Sequence, residues 1–317
     1  MQEVAHHDVS DGRMAQALDD IDGRAFGRWH SMRYDSFRLD RLREMADELL
    51  DHVAARALTE PGLDDTSRLA LVTAAECWLG VISLGCYPNG DQEIKFPLVR
   101  EELTSDEMAF QHVDDEAPTA RTWLDTFAAV VVSGLVWEWQ RVSGLLLRGD
   151  LAPAIRAGVP YSKLTPVSQP ADVAAMEALC PYLTEERGHL PRDWPTVPLR
   201  KPDPKELADA AERLDAAGPL TADQRLLRVL LDDDRHAFEQ ALVSRLVAHR
   251  ENVGTDPAPR TLLPLDALTL AALAVQVHGW ELDIRSVYLP HGIVGRPDAL
   301  QRAADEGENN LGSWYAK

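Results

Sequence analysis

Between Leu220 and Gly295 the chain alternates helix-start signals, apolar residues at helical spacing and proline corners, an order that leaves room for little besides packed helices. Thr221 and Gln224 stand in the relation in which a hydroxyl accepts from the third backbone N–H and an amide reaches back to the cap. Leu226, Leu227, Leu230 and Leu231 then fall on one face of a 3.6-residue period. The run Asp232-Asp233-Asp234 interrupts that face, and one of these aspartates is placed to cap the helix carrying Phe238, Leu242, Leu246 and His249. Asn252 and Gly254 stop it, and three prolines between Thr255 and Pro264 make a rigid corner. Leu265 to Leu282 is apolar on nearly all sides, the pattern of a helix buried among helices, and Ser286-Val287-Tyr288-Leu289-Pro290 closes the segment.

Upstream the pattern is less regular. Residues 1–35 read as a mobile or loosely docked arm with one short helix around Met14 to Ile21. Ser36 to Leu58 is an amphipathic helix with Leu42, Met45, Leu49, Val53 and Ala57 on its stripe. A second helix follows, capped by Asp65 or Thr66, with Leu69, Val72, Leu79 and Ile82 as its buried face. Tyr87-Pro88-Asn89-Gly90 marks a turn, after which Glu93 to Val99 is the one expected strand of this half. Ala117 to Leu147 is the longest helical candidate, with an apolar heart from Phe127 to Trp139 too soon interrupted by Glu138, Gln140 and Arg141 to span a membrane. Ten prolines between Ala152 and Pro204 forbid long helices there and admit one, Asp172 to Leu179. Regular structure resumes at Asp203-Pro204-Lys205-Glu206, read as cap, first-turn proline and third-position glutamate. The expected fold is therefore all-α: an irregular multi-helix array, repeat-like or bundled, with a Pro-rich central connection. Its divisions are an arm (1–35), an N-terminal helical half (36–150), the connection (151–203), a C-terminal helical half (204–295) and a tail (296–317), folding as one compact domain.

Charge bounds the partners. The chain carries 32 Lys and Arg against 52 Asp and Glu, a net charge of −20 that repels nucleic acid and anionic membranes and favours a basic partner. Three cysteines, Cys77, Cys86 and Cys180, have neither the number nor the spacing for a disulfide framework or a zinc site, and Met1 to Gly12 lacks the order of a signal peptide, so a cytoplasmic protein is expected. The acidic excess concentrates in one place. Glu101, Glu102, Asp106, Glu107, Asp114, Asp115 and Glu116 fall within sixteen residues free of Lys and Arg, either a solvated loop or a docking face for a basic protein.

No cofactor, metal or catalytic residue is expected. Gly-x-Ser-x-Gly, phosphate-loop and Gly-x-Gly-x-x-Gly signatures are absent, as are His-x-x-x-His pairs. The strongest enzymatic alternative is a pocket near Asp232, Asp233 and His236, whose carboxylates at the mouth of a helical bundle could hold Mg²⁺, with Trp137 nearby. A class I terpene cyclase would need a second metal motif that is missing here, and solvated capping aspartates explain the run without metal. His278, in the apolar helix, reads as a satisfied core histidine, and Arg148-Gly149-Asp150 as a helix ending on glycine. A helical-repeat scaffold is the remaining alternative.

Leu-Leu-Asp-Asp-Asp-Arg-His-Ala-Phe from 230 to 238, Leu-Val-Ala-His-Arg from 246 to 250, Leu-Leu-Pro-Leu-Asp-Ala-Leu from 262 to 268 and Val-Tyr-Leu-Pro from 287 to 290 together resemble the immunity protein forty-nine family of bacterial polymorphic-toxin systems. The resemblance spans roughly residues 36 to 294. It implies a cytoplasmic antidote that binds and blocks a toxin, commonly a nuclease-like effector, and it brings no catalytic residues. A toxin that acts on nucleic acid carries a basic cleft, which a rigid acidic protein can fill. The acidic run from Glu101 to Glu116 is the expected contact.

Overall fold

The chain folds as an all-α multi-helix array in a computed structural model that describes residues 2–35, 37–60, 62–105, 116–138, 141–185, 190 and 198–295. A short strand, β1 (Gln2–Val4), precedes α1 (Asp11–Leu18) and α2 (Ile21–Tyr34). The α2 N-terminus is closed by Asp20, whose carboxylate accepts from the Gly23 N–H. In α3 (Leu39–Thr59) the expected stripe Leu42, Met45, Leu49, Val53 and Ala57 is buried. The cap of α4 (Asp65–Cys86) is Asp64 rather than Asp65 or Thr66, its carboxylate accepting from the Ser67 N–H at 2.8 Å. Its buried face also differs from expectation. Leu79 and Ile82 are inside, but Leu69 is 41% exposed, because Ala70, Leu71, Ala74, Cys77 and Val81 take the neighbouring helices instead. Among the described residues α4 is long and apolar enough to cross a membrane, and 72% of its most apolar window is covered by the rest of the protein.

The turn at residues 87–90 leads into a hairpin of two strands where one was expected, β2 (Glu93–Phe96) and β3 (Glu101–Thr104). Gly80 of α4 permits its close approach: a Cβ there would lie 2.5 Å from the Ile94 Cδ1. The long helix expected over 117–147 is instead α5 (Ala120–Val132), opened by a Thr119–Thr122 capping box. It stops where Gly134 takes a left-handed conformation (φ 78°), and a buried 3₁₀ turn, Leu135–Trp137, follows. Then come α6 (Ser143–Leu145), a π-helical stretch Leu146–Leu151, and α7 (Ala152–Arg156). Arg148-Gly149-Asp150 thus lies inside a widened helix and does not end one. Pro153 has no N–H for the carbonyl four residues back, which favours widening at that point.

The Pro-rich segment is partly helical. It holds α8 (Pro170–Leu179), which starts on its own proline and buries Ala174, Ala175, Met176, Ala178 and Leu179. The carboxylate of Asp203 and the side chain of Glu206 make the reciprocal cap of α9 (Pro204–Ala216), and Thr221 and Gln224 make that of α10 (Ala222–Leu230). Asp234 caps α11 (Arg235–Asn252), the prolines of residues 255–264 form a corner with a 3₁₀ turn at Pro259–Leu262, and α12 (Leu265–Gln276) runs through the interior. A last strand, β4 (Ile284–Ser286), and α13 (His291–Val294) follow.

Packing joins the halves. Helix α3 lies along α4, α4 against α5, and α5 against both α8 and α12, while α10 and α11 close the far side of α12. At the centre Trp123 stacks on Phe127, with ring centroids 5.2 Å apart, and gives its indole N–H to the Leu147 carbonyl at 2.9 Å.

Residues 2–34 behave differently from the loosely docked arm expected. Strand β1 pairs in parallel with β4, and Val4, Ile21, Ala25, Trp29 and Met32 belong to the same core as the C-terminal helices. A polar clasp adds to this. The Tyr288 hydroxyl accepts from the His7 N–H at 3.0 Å and meets His7 Nδ1 at 2.7 Å, while His7 Nε2 lies 2.8 Å from Thr261 Oγ1. The strand pairing and the clasp leave no local periodicity; the α2 stripe Ile21, Ala25, Trp29 and Met32 does have helical spacing, and was the one signal of docking in the sequence.

Candidate partner-binding face

The acidic run was expected to form one surface, and the hairpin divides it. In the β2–β3 register Lys95 faces Glu102, and Phe96 faces Glu101. Opposed residues share a side of the sheet, and successive residues alternate. Ile94, Phe96 and Leu103 therefore turn inward, with Glu93, Lys95 and Glu102 outward. Glu102 is exposed, whereas Glu101 is half-buried on the inner side. Glu116 is exposed but bound to Arg43 of α3 at 2.7 Å. Asp106, Glu107, Asp114 and Asp115 lie outside the described residues. Of the described members of the run, Glu102 is the one that turns its carboxylate to solvent without an ion pair among the described residues.

Elsewhere the carboxylates are answered from within. Glu76, 2% exposed, accepts two hydrogen bonds from Arg141 at 2.7 and 2.6 Å. Burial still holds its pKa above the ordinary glutamate value, although the guanidinium draws it back down. Arg121 binds Asp125 and Asp266 together, at 2.5 and 2.7 Å. Burial raises the pKa values of Asp125, Asp172 and Asp266, and Arg121 opposes the rise in each. On α3 the stripe Glu44, Asp47, Glu48 and Asp51 is covered by Arg24, Arg28 and Arg260, which line with it a polar cleft of about 320 Å³.

The aspartate run that would have made an enzyme's metal site is dispersed. Asp232 binds Arg228 at 2.5 Å, and Asp234 accepts from the N–H groups of His236 and Ala237 at 2.9 and 3.1 Å. Asp233, in a left-handed conformation (φ 55°), meets Lys201 at 2.7 Å and His278 Nδ1 at 2.8 Å. The His236 ring points to solvent, 86% exposed. Three consecutive carboxylates thus serve three different partners, and no group of three potential metal ligands comes together among the described residues.

His278 lies just beyond α12 rather than within it, its side chain fully buried between Asp233 and the Tyr182 hydroxyl, which is 2.8 Å from Nε2. Desolvation lowers its pKa, with Asp233 pulling the other way. Its role is to tie the Pro-rich segment to the C-terminal helices. Trp137 likewise is bonded internally, its indole N–H donating to the Gln276 side-chain carbonyl at 3.0 Å. Sequence reasoning missed the Arg141–Glu76 and Arg121–Asp266 pairs, whose members are 65 and 145 residues apart and share no motif.

These features define a helical protein that answers its interior charges itself and presents acidic side chains outward. The family model for Immunity protein 49 matches residues 60–293, well over half of the chain, and the chain belongs to that family. No curated protein and no solved structure matches it. The family match begins one residue past the end of α3 and runs into α13, so β1, α1, α2 and all of α3 lie outside it. A family of immunity proteins implies a toxin as partner.

Proposed function

We propose that this chain is the cytoplasmic antidote to a polymorphic toxin, and that it neutralises the toxin by filling a basic, nuclease-like active cleft. Family membership carries the reading. The net charge of −20 supports its electrostatic part, since a cleft that binds phosphates is cationic and an acidic surface speeds encounter with it. The contact face proposed is the acidic run from Glu101 to Glu116, with Glu102 as its outward-facing member on the hairpin.

A toxin domain found encoded beside this chain would serve as the probe. Co-expression with the chain should restore growth, and the purified pair should associate at a rate that falls as salt shortens the Debye length to about 8 Å and below. Replacing Glu101, Glu102, Asp106 and Glu107 by Lys should slow association further, each change turning an attraction into a repulsion. No rescue and no complex would refute the antidote reading. Rescue with an association rate indifferent to salt and to the reversal would move the contact to another face.

A further inference from the structure

Helix α2 carries aromatic side chains on both of its faces. Trp29 is buried, 4% exposed, and its indole N–H donates to the Glu102 carbonyl at 3.2 Å, which fixes α2 alongside β3. On the outer side, beginning next to Trp29, Asp22, Phe26, His30 and Tyr34 follow one another every fourth residue and all face solvent, Phe26 being 46% and Tyr34 62% exposed. The rings form a continuous surface: Phe26 to His30 is 6.3 Å between centroids and His30 to Tyr34 is 4.6 Å. Phe26 and Tyr34 also lie against Trp29, with centroids 5.3 and 6.5 Å away, yet 46% of Phe26 and 62% of Tyr34 stay exposed.

Gly27 sits beside this line. A Cβ added there would meet nothing within 4 Å, so no internal contact requires the glycine, although glycine inside a helix is unfavourable. Gly23, by comparison, is explained by its cap, since a Cβ would strike the Asp20 carboxylate at 2.3 Å. Open space at Gly27 between exposed rings lets another backbone come close to the helix.

We infer that the outer face of α2, through Phe26, His30 and Tyr34 with Gly27 between them, is the anchor by which the chain grips the basic surface of its toxin. Charge selects that occupant. Arg24 and Arg28 of α2 turn toward α3, where Glu48 and Glu44 hold them, so the aromatic line is bordered by the carboxylates of Asp22, Asp35 and Glu102 against the one nearby α2 cation, Arg33. The rings themselves take cations: Arg33 already lies over Trp29 and Tyr34, 5.4 and 5.5 Å from the centroids. A second copy of the chain would bring a further charge of −20 to the same place. The division of labour is familiar in interfaces, acidic groups setting the encounter rate and buried aromatic anchors the residence time. The face lies outside the residues matched by the family.

The inference rests on the antidote reading, and the same toxin domain tests it. Phe26→Ala with Tyr34→Ala should weaken the complex roughly a hundredfold, about tenfold for each anchor, mainly through faster dissociation, with only a small fall in melting temperature from the lost contacts to Trp29. Gly27→Gln should keep or raise the melting temperature and still weaken binding. Leu69→Ala and Tyr161→Ala, exposed elsewhere, should leave the affinity as it was. If the wild-type chain binds the toxin and the double variant binds equally well, α2 is not the anchor. If the free chain is a dimer that the double variant dissolves, the face belongs to a second copy and the inference falls. If the wild-type chain does not bind the toxin, the antidote reading falls first and this one with it.

Discussion

The charges around α4 and α5 and those on the outer side of the hairpin and α2 are alike in kind and opposite in circumstance. Glu76 is enclosed and gripped by Arg141, and the half-buried Asp266 is gripped by Arg121, whereas Glu102 and Asp22 look into solvent. Inside, each carboxylate costs desolvation that only its guanidinium offsets, so the pair is a structural device. Outside, a carboxylate costs almost nothing to keep and is available to a second molecule. The density of acidic residues along the chain therefore does not by itself mark a docking face. What marks it is whether the fold has already supplied the counter-charge.

Breaking an interior pair should give the largest effect. Arg141→Ala leaves Glu76 buried without its partner and is expected to cost about 3–5 kcal/mol in urea unfolding, while Arg141→Met with Glu76→Gln should recover much of it. A stability change under 1 kcal/mol in the single variant would erase the distinction between the two regions. Next comes a site between the extremes: Thr221→Ala removes the cap of α10 and should cost about 1 kcal/mol by the same measurement.

Acid sharpens the comparison by sign. Arg200 holds the Glu206 pKa at about 2, against an ordinary 4.5, so the stability it adds is present above pH 4.5 and is lost as pH falls toward 2. Asp125, Asp172 and Asp266 have raised values, so their contribution is present below the ordinary 3.8 and is lost as pH rises through the raised pKa. Melting curves against pH should show Glu206→Gln converging on wild type near pH 2. The gap between wild type and Asp266→Asn should instead narrow as pH rises. The smallest effect on folding is expected at the surface, where Glu102→Lys should move stability by no more than about 0.5 kcal/mol while slowing association with the toxin.

Helix caps were the most legible part of the fold. Asp203 with Glu206, Thr221 with Gln224, and one aspartate of the 232–234 run could be named because a cap is local chemistry within four residues. The stripe of α3 and the all-round apolar character of α12 were equally plain. Elements set by distant partners were not. The break of α5 at Gly134, the one-residue displacement of the α4 cap and the second hairpin strand all depend on what packs against them. Of the candidate face, the acidic run could be read from the residues, but not that Glu101 and Glu102 point opposite ways. The spacing of Phe26, His30 and Tyr34 was present in the chain, yet aromatic residues every fourth position signify core as readily as surface until the other face of the helix is known to be buried.

By itself the sequence determined that this protein is helical, where several of its helices begin, that it is strongly acidic and which family it resembles, since these follow from periodicity, local hydrogen bonding, composition and recurring core motifs. Only the tertiary structure decided which charges are used up internally, that residues 2–34 are part of the core, and which side of α2 is left over. Those outcomes depend on side chains tens to hundreds of residues apart meeting in space. Burial and counter-charge are properties of that meeting, and no local pattern encodes them.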